Sequence, residues 1–135
     1  MKFVEIIYAI YLLPAARKHL LKVKQQLQNN TYEKIIETSL TVSDSHKPII
    51  SIVKSYFWAC RLLPKCNCLP RSIALFQYLK AAGFKVEHKF GVNKDNNKLA
   101  AHAWVEYQQK PLNESENLKQ RFKTLNIQKT VTNSK

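Results

Sequence analysis

Glycine is nearly missing from this chain: Gly83 and Gly91 are the only two in 135 residues. That excludes a collagen-like or loop-rich chain, while a hydrophobic share of 45% is ordinary for a folded domain of one modest core. Long apolar runs are also missing. The longest, Phe3 to Leu13, is interrupted by Glu5 and falls short of the about 20 residues a bilayer-spanning helix takes. Acidic residues are few, nine against 22 Lys and Arg, giving a formal charge of +13. The excess is +6 over residues 1–68 and +7 over 69–135, so no basic tail exists. Such a surface suits an acidic partner, but no nucleic-acid-binding motif accompanies it, and no nucleic acid is expected. Cysteines number three, Cys60, Cys66 and Cys68. An odd set within nine residues is not a disulfide framework, and the expectation is a reducing, cytoplasmic setting. Nor does it reach the four ligands of a structural zinc site, so no metal and no cofactor are expected. After Asp95 the chain holds no aspartate at all.

What is present reads as helices followed by a small sheet. Residues 1–48 form an N-terminal helical segment. A lysine before the apolar run and Pro14-Ala15-Ala16 after it raise a signal peptide, but Glu5 and the helical continuation Arg17 to Lys22 favour a retained helix that packs on the domain or a partner. Peripheral membrane contact stays open, because lysines flank the apolar face. A break near Asn29-Asn30-Thr31 gives Thr31 as a new N-cap. Polar Thr41 to Pro48 is a linker, and His46 within it reads as solvent-exposed. A second part covers 49–125, with a helix from Ile49 to Leu63 stopped by Pro64, and residues 126–135 form a polar tail. Cys60 reads as buried in that helix.

The chemistry gathers at Lys65-Cys66-Asn67-Cys68-Leu69-Pro70-Arg71-Ser72. Pro70 fits a first helical turn, apolar spacing continues to Ala82, and Gly83 suits the C-terminal end. A sulfur at a helix start meets unpaired N–H groups and the positive end of the macrodipole; both favour thiolate, and Lys65 and Arg71 add cationic field. Phe84 to Val92 alternates as a strand, Asp95-Asn96-Asn97 turns, and Leu99 to Tyr107 returns, with Lys110-Pro111-Leu112 a short third strand. Glu87 and Lys89 beside His88 suggest an exposed ribbon, which leaves His88 out of any site. On the return strand His102, Trp104 and Glu106 share one face. A nucleophilic cysteine needs a base held by a third group, and a histidine on a stiff strand supplies one.

Cys68-Leu69-Pro70-Arg71-Ser72, Ala74-Leu75, Leu79, Gly83, Phe90-Gly91-Val92 and His102-Ala103-Trp104-Val105-Glu106, in this order, resemble the transglutaminase-like cysteine proteases of lasso-peptide biosynthesis, over about residues 51–122. The resemblance implies an α+β fold with a papain-like or transglutaminase-like core, a cysteine at a helix N-terminus facing a small antiparallel sheet, preceded by helices. It implies a peptidase that removes the leader from a ribosomally made precursor, with Cys68 as nucleophile and His102 as base. The third member in that family is usually an aspartate about a dozen residues on. Here that place holds Glu114, preceded by Asn113. Glu114 is the first candidate, able to hold the imidazole Nδ1–H as an aspartate does; Asn113 is second and Glu106 third. Implied companions are the precursor peptide, a separate small leader-recognition protein and an asparagine-synthetase-like cyclase. A non-catalytic scaffold of the same fold, or a basic domain at nucleic acid or membrane surfaces, are the alternatives.

Overall fold

The computed structural model describes residues 2–38, 40, 42, 47–95, 98–114, 118 and 122–125; His46 and the expected tail 126–135 lie outside them. The first helix, α1 (Phe3–Asn29), runs on through Pro14. At its start the Lys2 N–H donates to Glu5 Oε1 at 2.7 Å, satisfying a donor the helix cannot. Ala9, Leu12, Ala16, Leu20 and Val23, spaced three or four apart, form its buried stripe, and α1 packs along α3. Phe3, Val4, Ile7, Tyr8, Ile10 and Tyr11 remain exposed on the outer side. A short α2 (Tyr32–Ile36) follows Thr31, which stands at the N-cap position without a side-chain cap bond.

Helix α3 (Ile49–Leu62) starts after Pro48 and ends before Pro64. Ser51 Oγ–H donates to the Glu5 carbonyl at 2.7 Å and ties α3 to the first turn of α1. Helix α4 (Cys68–Ala81) begins at Cys68, capped by Asn67, whose Oδ1 accepts the Leu69 N–H at 3.1 Å. It ends in a turn whose Gly83 takes φ +97°, where a side chain would be strained. Among the described residues four antiparallel strands follow in the spatial order β3-β2-β1-β4: β1 (Val86–Asp95), β2 (Lys98–Tyr107), β3 (Lys110–Pro111) and β4 (Lys123–Leu125). β1 and β2 pair from Val86↔Tyr107 to Asp95↔Lys98. Gln108 and Gln109, both at positive φ, make the two-residue turn into β3 that glycine or asparagine usually makes. Helix α4 packs on β1, β2, α1 and α3, so the cysteine-bearing helix joins the two halves of the core.

Two expectations need correction. Cys60 and Cys66 are joined as a disulfide, with Cα atoms 5.5 Å apart, leaving Cys68 as the free thiol. Counting cysteines missed it because the turn between α3 and α4 folds Cys66 back onto the end of α3. His88 is not on an exposed ribbon but buried. Its neighbours Glu87 and Lys89 point to the other face of β1, whereas His88 faces α4 and α2 and is satisfied there. Tyr32 Oη lies 2.9 Å from His88 Nδ1 and Ser72 Oγ 2.8 Å from Nε2, while the Ser72 hydroxyl donates to the Leu69 carbonyl at 3.1 Å. That assigns the proton to Nε2, donating to Ser72, with Nδ1 accepting from Tyr32. Burial holds the His88 imidazole down at about 3 and pushes the Tyr32 phenol up to about 12.

Candidate active site

Cys68 occupies the first position of α4, half-buried, where the helix N–H groups are not yet paired within the helix. Three residues on, Arg71 lies on the same side of the helix. Its guanidinium stacks on the Phe57 ring of α3, 4.0 Å from the centroid, and reaches Glu114 Oε1 at 3.6 Å. The same Glu114 oxygen lies 2.9 Å from His102 Nε2. His102 and Glu114 are thus in direct contact, and Arg71 carries the connection to the helix of Cys68. The cavity that Arg71, Trp104 and Glu114 help to line is about 10 Å³, room for one water at most. Burial pulls the Arg71 guanidinium down from its ordinary value, Glu114 and Cys68 oppose that, and Arg61 of α3 adds to it.

The imidazole contact is through Nε2, not the expected Nδ1. A carboxylate only accepts, so Nε2 carries a proton toward Glu114, and in the neutral ring the lone pair is on Nδ1. The ring is held on two further sides. Trp104 stacks beside it, centroids 6.0 Å apart at 21°, and Phe122 lies at 5.5 Å. Gly91, paired opposite His102, makes this packing possible: a Cβ there would stand 2.7 Å from Phe122 Cβ and 2.7 Å from the Trp104 ring. Trp104, Leu118 and Phe122 form a small core of their own behind the histidine.

The other two candidates for the third position are occupied differently. Asn113, at φ +54°, accepts from Lys54 Nζ at 2.6 Å through Oδ1. Glu106 is buried and accepts the Trp104 Nε1–H at 2.9 Å, fixing the indole that stacks on His102. Sequence reasoning put Arg71 near Cys68 as a cation and Trp104 on the face of His102, but missed the contact of Arg71 with Glu114 and missed Phe122 altogether. The spacing Cys68 to Arg71 on one helix face was the signal available for Arg71; Phe122 lies too far along the chain to be placed from spacing.

Among the described residues no three His, Cys, Asp or Glu side chains gather so as to hold a metal ion, and no helix is long and apolar enough to cross a membrane. No curated protein and no solved structure matches the chain. Among the described residues, four helices and a small antiparallel sheet, with a free cysteine opening a helix that packs on the strand of a carboxylate-bound histidine, are in keeping with what the family comparison finds. The model of the transglutaminase-like superfamily matches residues 11–126, and the chain belongs to that superfamily.

Proposed function

We propose that this chain is a cysteine peptidase that removes the leader from a lasso-peptide precursor, with Cys68, His102 and Glu114 as its catalytic triad. The observation that carries the reading is the 2.9 Å bond from His102 Nε2 to Glu114 Oε1, which leaves Nδ1 as the base. In this reading Nδ1 takes the Cys68 proton, and the thiolate attacks the carbonyl at the leader–core junction. The oxyanion is met by backbone N–H groups, the Cys68 N–H among them. Collapse of the tetrahedral species breaks the C–N bond, and the imidazolium gives its proton to the leaving amine of the core peptide. Water, deprotonated by His102, then hydrolyses the thioester and frees the leader.

The finer parts of the proposal rest on the motif resemblance of residues 51–122. They are the lasso precursor as substrate, a small leader-recognition protein that supplies docking, and an asparagine-synthetase-like cyclase that receives the product. The cytoplasm as the place of the reaction likewise rests on the resemblance and not on the cysteine count, since Cys60 and Cys66 are paired as a disulfide. The test is reconstitution with precursor and the small leader-recognition protein. Free leader should appear, and the partner should raise turnover by supplying local concentration and orientation. A stable complex that never yields leader would favour a scaffold; binding only to nucleic acid, weakening steeply with salt, would favour a basic binding domain.

A further inference from the structure

We infer that Arg71 is a positioning residue of the proposed site: its guanidinium, wedged between the first turn of α4 and Glu114, holds that carboxylate toward His102 and sets a fixed positive charge beside Cys68. The inference rests on the reading of Cys68 as nucleophile and adds a fourth member to it.

The geometry is specific. A glutamate in the third position has one more rotatable bond than an aspartate, so something must restrain it. Arg71 approaches the Oε1 atom that His102 binds, at 3.6 Å against 2.9 Å. The guanidinium is itself restrained, its flat face on Phe57 at 4.0 Å and its side chain only 20% exposed. The turn that carries Glu114 is held a second time by Lys54 Nζ on Asn113. Position along the helix does the rest. Cys68 and Arg71, at i and i+3 in the first turn, are neighbours on one face.

Charge gives this arrangement a consequence. The charged groups that bear on the corner are Arg71 and Cys68 on α4, Arg61 of α3, His102 of β2 and Glu114 after β3, with Lys54 at the edge. Arg71 partly neutralises the Glu114 carboxylate that it approaches at 3.6 Å and interacts favourably with an ionised Cys68. Without Arg71 the corner would keep the Glu114 carboxylate and lose the charge that favours an ionised Cys68.

The experiment is the pH dependence of iodoacetamide alkylation at Cys68, followed by peptide mass mapping on the full chain without substrate. Arg71→Met keeps the length and the stacking on Phe57 but removes the charge. Its alkylation midpoint should move upward by about one pH unit or more, while Arg71→Lys, which keeps the charge, should return it toward wild type. An unmoved midpoint in a folded Arg71→Met overturns the inference. Should Arg71→Met not fold, Arg71→Lys decides: a midpoint close to wild type supports the charge role, and an upward shift of one unit with the charge retained contradicts it. Because no precursor is present, failure here is separate from failure of leader cleavage, which would show in the reconstituted reaction with wild-type protein.

Discussion

Glu114 is the residue on which the proposed chemistry turns, because it stands where the resembling proteases usually carry the shorter acid. Its carboxylate reaches His102 Nε2 at 2.9 Å, so Glu114→Ala should leave the fold intact and lower kcat on the order of 100-fold, with KM little changed, as expected for a base that has lost its orientation. Asn113→Ala should cost less, since the Asn113 side chain is engaged by Lys54 rather than by the imidazole. Steady-state cleavage of the precursor in the reconstituted reaction checks both. That Cys68 opens a helix and that His102 lies on an aromatic strand were legible in the sequence, though His102 stands inside that strand and not at its start. Which imidazole nitrogen meets the acid was not legible. It depends on the rotamer that Trp104 and Phe122 impose, and Phe122 comes from a distant part of the chain.

At the scale of elements, the hairpin β1–β2 and the helix α4 fix the site between them. Helix boundaries were readable because prolines and a terminal glycine mark them: Pro48 before α3, Pro64 after it, Pro70 and Gly83 at the two ends of α4. β4 was not readable, since three residues, Lys123–Leu125, carry little pattern, and the pairing of Phe90 with Leu125 that defines it is non-local. The burial of His88 was hidden for a related reason. A strand covered by α4 and α2 on one side looks, from its charged alternate residues, like a ribbon in water. Gly91 gives the prediction proper to this scale. With Phe122 and Trp104 atoms 2.7 Å from where its Cβ would be, Gly91→Ala must displace the aromatic layer behind His102. Denaturant unfolding should show a loss of about 1–3 kcal/mol, typical of overpacking, and leader cleavage should fall by more than the loss of folded protein explains. A Gly91→Ala variant as stable and active as wild type would show that the layer yields freely.

For the whole molecule, half-buried His19 and buried His88 tie the helices to one another and to the sheet, and both make stability depend on pH. His19 Nε2–H donates to Gln77 Oε1 at 2.7 Å and Nδ1 accepts from Tyr56 at 2.6 Å, joining α1, α3 and α4; Gln77 in turn donates to the Ile35 carbonyl at 2.6 Å. Burial lowers the pKa of His19, as it does that of His88. For His88 the folded value of about 3 lies below the ordinary 6.5, so between these limits the unfolded chain binds the extra proton. The stabilisation is complete above about pH 6.5 and is lost as pH falls toward 3. Fully developed, the effect of His88 is on the order of 5 kcal/mol. Melting temperature should therefore drop steadily from pH 7 to pH 4.5, and His88→Gln, less stable at pH 7, should show a shallower slope; an equal slope in the variant would remove His88 as the cause. These histidines hold up the scaffold, while the proposed reaction belongs to the corner where α4 meets β2. The most direct measurement of that proposal is mass-spectrometric detection of free leader from precursor and the small leader-recognition protein, comparing wild type with Cys68→Ala. The account predicts leader with wild type and intact precursor with Cys68→Ala; leader released equally by both would contradict it.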